Sequence, residues 1–336
     1  MDFEKIEEIL KNEPIFRLRQ VKKAVFKDLI ENWQDATNLP KNLRQELAQN
    51  CSFQELKAEK VLTSKDGQTT KALFALGNGL KIEAVLMRHI ENRRTVCVSS
   101  QAGCSLGCKF CATGQQGLKR NLSVSEIINQ VLYFARLLKK EKERITSIVF
   151  MGMGEPFLNY ENVLEAIKIL NDKDGFNLGA RHISVSTAGI VEGIKKLSEE
   201  HLQINLAISL HAPNNELRTK IMPVNKIYPI EAILSAVDDY IKKTNRRVMF
   251  EYLIIDGVND SEKEARDLAE LMKKPLYLVN LISYNPISHP EFRPSPVRTI
   301  EKFKNILKQN KIAFTQRYRF GREIKAACGQ LTGENG

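Results

Sequence analysis

Short apolar runs recur along residues 95–320, and each is followed by a stretch with helical periodicity. The runs fall at 95–100, 145–151, 183–186, 204–210, 248–255 and 276–282. Their near-continuous apolarity is the pattern of strands buried on both faces. Helical patterns follow at 123–140, 162–171, 193–200, 230–243, 261–273 and 297–309. The first opens with Ser123-Val-Ser-Glu126, a capping box that satisfies two orphan amides. Six such units predict an α/β fold, an incomplete (β/α)6 parallel barrel.

A barrel of this kind gathers active groups at the carboxyl ends of its strands. The polar punctuation obeys that rule. A cysteine loop follows the first strand and Gly152-Met-Gly-Glu155 the second; Ser186 ends the third, Ser209-Leu-His211 the fourth, and Tyr284-Asn285 the sixth.

Upstream, residues 1–75 read as a small helical accessory domain. Phe3, Ile6, Ile9 and Leu10 recur at helix spacing, as do Val21, Ala24, Val25 and Leu29, with a break at Asn38-Leu-Pro40. Trp33 is expected in that segment's core. Residues 76–94 read as a β linker and 95–336 as the core. Arg17, Arg19, Lys22, Lys23 and Lys27 form a basic stripe that either faces phosphate or solvates a helix.

Composition adds little until charge is counted. The 336 residues are 43% hydrophobic, enough for a full core, and Lys plus Arg exceed Asp plus Glu by 51 − 40 = 11. That excess suits a nucleic-acid partner. Six cysteines in a chain of this size indicate a reducing cytoplasm rather than a disulfide scaffold. No run of about 18 apolar residues occurs, and the first residues do not read as a leader, so a soluble, unprocessed chain is expected.

The candidate chemistry starts at Cys104, Cys108 and Cys111, spaced C-x3-C-x2-C. Three thiolates are one short of the four that close a zinc site or fully ligate an iron–sulfur cluster. A [4Fe–4S] cluster held by three cysteines leaves one iron open for a substrate. Gly103 and Gly107 suit a loop that curls around it.

The cysteine loop, the strand-end Gly152-Met-Gly-Glu155 and the barrel together resemble the radical S-adenosylmethionine enzymes. The resemblance implies that the open iron binds S-adenosylmethionine and sends an electron into its sulfonium, yielding a 5′-deoxyadenosyl radical. Gly152 and Gly154 would let backbone approach the methionyl part, and Glu155 would accept from its ammonium.

Two further cysteines, Cys97 and Cys328, would each be a buried small hydrophobe by default. Their flanks, Cys97-Val-Ser-Ser-Gln101 and Ala326-Ala-Cys-Gly-Gln-Leu331, resemble the radical adenine methyltransferases of ribosomal RNA. So do Asn38-Leu-Pro-Lys41, Lys119-Arg-Asn-Leu122, Phe150-Met-Gly-Met-Gly-Glu-Pro156, Asn225 and Gly257-Val-Asn-Asp260. The stretches beginning at Glu155 and Asp174 look like the C2-methylating branch, the RlmN type. Arg319-Phe-Gly-Arg322 leans instead towards the C8-methylating branch.

The resemblance implies methylation at C2 of an adenosine in 23S rRNA and of the adenosine 3′ of the anticodon in tRNA. Cys328 takes a methyl from one S-adenosylmethionine. A radical from a second removes hydrogen from that S-methyl group, and the methylene adds to C2. Cys97 then attacks the Cys328 sulfur, and the methylated base leaves after proton loss. Glu83 matches the proton acceptor, although on a strand it also reads as a solvent-facing carboxylate. Gly154, Glu155, Ser186, Ser209, Leu210, His211 and Asn285 would contact S-adenosylmethionine. An external electron donor of flavodoxin or ferredoxin type and a monomeric state are expected. His89, His182, His201 and His289 show no ligand spacing, and Cys51 reads as an incidental thiol. Two other classes stay open: a non-catalytic, metal-stabilised RNA-binding protein, and a radical enzyme acting on a small molecule.

Overall fold

The computed structural model describes residues 3–51, 53, 56–287, 292–317 and 320–333. His289 and Arg319 therefore lie outside the described residues. The chain opens with helices Phe3–Ile9, Phe16–Phe26 and Lys41–Asn50 and then enters one ten-stranded sheet. Strands β1 (Lys57–Thr63), β2 (Thr69–Ala75), β3 (Lys81–Arg88) and β4 (Arg94–Val98) pair antiparallel in sequence order. A separate two-stranded sheet, β5 (Gln101–Cys104) with β6 (Gly117–Asn121), brackets the cysteine loop. From β4 the main sheet continues in parallel through β7 (Ser147–Phe150), β8 (Ile183–Thr187), β9 (Asn205–Ser209), β10 (Val248–Ile254), β11 (Tyr277–Ser283) and β12 (Phe314–Gln316). The two ends of this order, β1 and β12, do not pair, so the parallel part is an open barrel.

The six expected βα units are present, with boundaries within a few residues. Helix Val124–Lys140 carries the expected capping box, with Ser123 and Glu126 answering each other. Its Ile127, Val131, Leu132, Phe134 and Leu138 are fully buried against the sheet. Each such side chain contributes roughly 1.5–3 kcal/mol by leaving water.

Two expectations about the first hundred residues change. The alternating stretches around Ala72–Ala75 and Leu80–Leu86 are strands, as their pattern between about 55 and 95 suggests, but helix ends at Asn50, so the helical domain stops well short of the boundary drawn at 75. Residues 76–94 are no linker, because β3 pairs β2 along seven residues and extends the barrel sheet. A seventh parallel strand, β12, was also unforeseen; its three residues are half-buried or exposed and carry no apolar run.

The basic stripe is largely engaged by acids. Lys22 Nζ lies 2.5 Å from Asp172, Arg19 Nε 3.5 Å from Asp174, Lys23 Nζ 3.3 Å from Asp28 and Arg17 Nε 3.7 Å from Glu13. Asp172 and Asp174 belong to the barrel, so Lys22 and Arg19 link the helical segment to it, while the Arg19 side chain stays largely exposed. Phe26 meets Phe176 edge-on at 6.5 Å, and Arg136 donates to Ile30 O at 2.8 Å across the same seam. Trp33 is buried as expected and donates to Cys51 O at 2.6 Å.

Candidate active site

The strand ends enclose a cavity of about 190 Å³. Cys97, on β4 opposite Val85 and Val149, lines it. Cys104, Cys108, Cys111 and Cys328 also line it, as do Gly154, Glu155, Ser186, Ser209, His211 and Asn285. Five cysteines separated by up to 231 residues thus share one space.

The cysteine loop is held from three sides. Gly103, at φ +76°, lies so close to β6 that a Cβ there would be 2.0 Å from Gly117 O. Lys109 N donates to Ile221 O at 3.0 Å. Ala112 N donates to Gly329 O at 2.8 Å, tying the loop to the segment that carries Cys328. Burial pushes the Cys97 and Cys104 thiols up to about 12 and raises Cys108 and Cys111 as well. Without a metal these thiols stay protonated at neutral pH, and a soft metal centre would have to displace the protons. Among the described residues no three His, Cys, Asp or Glu side chains are grouped for a single metal ion. A cubane cluster presents its irons at separate corners, so a shared cavity lined by three spaced thiols fits it.

Gly154 has a local packing reason of its own. At φ +96°, a Cβ there would lie 2.5 Å from the Gln101 side chain. The glycine lets the loop after β7 close on the start of β5. Glu155 is buried beyond it, accepting from Ala188 N at 2.7 Å and Phe157 N at 3.0 Å. Burial pushes its carboxyl up to about 7 against the pull of those amides.

His211 sits at φ +58° with Leu253 N donating to its Nδ1 at 3.0 Å. The ring proton is therefore on Nε2, and burial, helped by Arg218, drives the group down to about 3. Leu210 does not line the cavity; its backbone N donates to Glu251 O at 3.1 Å and its carbonyl accepts from Arg218. Asn285 donates weakly to Cys328 O at 3.4 Å, while its buried Oδ1 has no partner among the described residues. An orphaned acceptor among cavity-lining residues suits a ligand that brings a donor.

Glu83 is not brought to the cavity, nor does it face solvent. It is 1% exposed, pairs with Lys71 Nζ at 2.7 Å, and accepts from Thr332 N at 2.7 Å and Gly333 N at 3.2 Å. Lys71 also donates to Lys325 O at 3.2 Å. The pair grips the Cys328 segment on both sides.

Sequence reasoning missed Glu251 and Arg317. Glu251 Oε2 accepts from Ser186 at 2.7 Å and Ser209 at 3.3 Å, and Oε1 lies 3.4 Å from Arg317 Nη1. The signal for Glu251 was a carboxylate inside an apolar strand; Arg317 follows the short strand β12, which gave none. Arg317 lines the same cavity as Cys97 and Cys328, and negative charge on either thiol strengthens its hold on a proton.

The site and fold define a class. Residues 98–269 match the family profile of the Radical SAM superfamily, whose members use a [4Fe–4S] cluster and S-adenosylmethionine. A radical SAM methyltransferase from Sphaerobacter thermophilus superposes with a TM-score of 0.95 at 43% identity, covering 99% of this chain and 98% of that one. A probable dual-specificity RNA methyltransferase RlmN from Dictyoglomus thermophilum is 48% identical over 98% of this chain and 94% of its own length. The ribosomal RNA large subunit methyltransferase N of Nitrosopumilus maritimus is 45% identical over 94% of this chain and 92% of its own. The chain belongs to the RlmN family of radical SAM RNA methyltransferases.

Proposed function

We propose that this chain methylates C2 of a specific adenosine in 23S rRNA and C2 of the adenosine 3′ of the anticodon in tRNA. The observation that carries this reading is the meeting of Cys97 and Cys328 in the cavity that Cys104, Cys108 and Cys111 line. C2 of adenine lies between two ring nitrogens and is too electron-poor to attack a sulfonium methyl. The family resemblance supplies the alternative: a protein thiol would carry the methyl group, and a second thiol would free the product.

Cys104, Cys108 and Cys111 would hold the cluster. Bound there, it supplies the electron that cleaves S-adenosylmethionine to the 5′-deoxyadenosyl radical. Glu155 would accept from the ammonium of S-adenosylmethionine, with Gly154, Ser186, Ser209, the Leu210 backbone, His211 and Asn285 around the remainder. Cys328 takes its methyl group by polar displacement, which requires a thiolate. Two molecules of S-adenosylmethionine are thus used per turnover. After the S-methyl group has lost hydrogen and bonded to C2, the adduct radical would pass one electron back to the external redox partner and lose the C2 proton; Cys97 would then attack the Cys328 sulfur, forming a disulfide as the base leaves and its methylene is protonated. Arg317 lines the same cavity as both cysteines and favours the thiolate of Cys97. Glu83, paired with Lys71 outside the cavity, would accept the C2 proton only after the Thr332 and Gly333 amides release its carboxylate and the Cys328 segment moves to bring it to the base.

The relatives' name, dual-specificity RNA methyltransferase, supports two RNA substrates. A soluble monomer in a reducing cytoplasm, fed by a flavodoxin- or ferredoxin-type donor, completes the reading. No helix among the described residues is long and apolar enough to cross a membrane. The test is anaerobic reaction with a 23S rRNA fragment and with tRNA, followed by nuclease digestion and mass spectrometry. 2-Methyladenosine from both is expected. 8-Methyladenosine would overturn the C2 assignment, and unmodified tRNA would remove the second substrate.

A further inference from the structure

Arg218 is a buried cation without a carboxylate. It lies in helix Asn215–Ile221 and is 0% exposed. Its Nε donates to Leu210 O at 3.1 Å. Nη1 donates to Asn225 Oδ1 at 2.9 Å and Tyr228 O at 3.1 Å, and Nη2 to Ala188 O at 2.6 Å and Ser209 O at 3.2 Å. All five acceptors are neutral, and among the described residues no carboxylate stands within 4.0 Å. Hydrogen bonds alone do not repay moving a full charge out of water; a buried ion of this kind implies an opposite charge nearby.

The surroundings say where that charge belongs. Ala188, whose carbonyl binds Arg218, donates its amide to Glu155, and Ser209 and Ala188 both line the cavity. Ile221, at the end of the same helix, accepts from Lys109 inside the cysteine loop. Lys109 adjoins Cys108, so the helix that carries Arg218 is tied directly to the ligand loop.

We propose that Arg218 is the fixed counter-charge of the thiolate-held cluster, a positioning residue that makes its one-electron reduction easier. Three thiolates on a 2+ cluster carry a net charge of −1, and an electron from the external donor makes it −2. A cation held in place by five bonds stabilises the second state more than the first. The radical chemistry begins only after that electron arrives, so Arg218 acts one step ahead of bond cleavage. The inference rests on the three-cysteine cluster and not on which carbon is methylated. If the cluster reading fails, reconstituted wild type holds no iron.

The test is an anaerobic redox titration of the reconstituted full chain, followed by electron paramagnetic resonance. Arg218→Met removes the charge. Asn225→Asp leaves Arg218 in place and sets a carboxylate against its Nη1. Both should lower the equilibrium constant for cluster reduction at least tenfold, which for one electron is about 59 mV. Arg218→Lys keeps the charge while losing bonds, and should stay within about threefold of wild type. Asn225→Ala, which adds no charge, should leave the potential unchanged. Asn225→Asp at the wild-type potential, or Asn225→Ala shifted as far as Asn225→Asp, overturns the proposal. If Arg218→Met cannot hold iron, the Asn225 pair decides. Iron lost from Asn225→Asp but kept by Asn225→Ala is the cancelled charge again, and loss from both overturns it.

Discussion

Replacing Lys71 with methionine isolates what the buried Lys71–Glu83 pair does. The two side chains are 7% and 1% exposed and 2.7 Å apart. Lys71→Met preserves volume but leaves the Glu83 carboxylate with only the Thr332 and Gly333 amides and no cation. Breaking one side of such a pair destabilises by about 3–5 kcal/mol. At roughly 2.1 cal/mol/K of unfolding entropy per residue, a chain of 336 residues loses about 1.5 °C of Tm per kcal/mol. The expected fall is therefore about 4–7 °C. Glu83→Gln alone keeps an oxygen for both amides, and the double variant Lys71→Met/Glu83→Gln has no buried charge left. It should recover at least about 2 kcal/mol of the single-variant loss, a coupling that a double-mutant cycle reads directly. Because the pair also holds Lys325, Thr332 and Gly333, amide exchange at 325–333 should accelerate in Lys71→Met. Methyl occupancy of Cys328 should drop with it. A Tm change under about 1.5 °C, the size of an exposed pair's contribution, would refute the anchoring argument. So would additive single and double variants. Glu83→Gln also tests the acceptor role: a protein–RNA adduct that accumulates in this variant, with the segment still protected, is the signature of a missing base.

Cys97→Ala should trap RNA on Cys328, read as a crosslinked band on a denaturing gel; normal turnover with no crosslink would sink the relay. Lys22→Ala removes a 2.5 Å contact to Asp172, so it should loosen the helical segment, seen as faster exchange in Phe16–Phe26. The slope of log RNA affinity against log salt should stay the same, and a slope reduced by about 1 would return Lys22 to phosphate binding. His211, driven down to about 3, contributes stability that is present above the unfolded value near 6.5 and lost as pH falls towards 3. His211→Asn should flatten the acid limb of stability against pH by up to about 1.4 kcal/mol per unit between pH 6.5 and 4; an unchanged limb would show that the ring is solvated.

The parts of this molecule that could be read in the sequence are those where one local property decides the structure. Parallel strands covered by helices must be apolar on both faces, so β8, β9, β10 and β11 announced themselves, and the polar last residues of β8, β9 and β11 marked the rim. The cysteine loop was legible because all three ligands lie within eight residues. What escaped depends on partners far along the chain. Strand β1, Lys57–Thr63, alternates half-buried and exposed positions and has no apolar stripe to distinguish it from a polar helix. Lys22 and Asp172 are 150 residues apart, so a cation that docks a helix looked like one facing phosphate. Glu83 reads as a strand carboxylate until the chain returns, 249 residues later, to lay the Thr332 amide on it. Arg218 is the extreme case: five acceptors from three separate stretches of chain satisfy it, and no single window of sequence contains them. Charges whose partners are local tend to sit at the surface, where they contribute little. Those whose partners arrive from distant segments, such as Lys71, Glu83 and Arg218, end up buried around the cysteines, where their removal should alter stability, loop position and potential most.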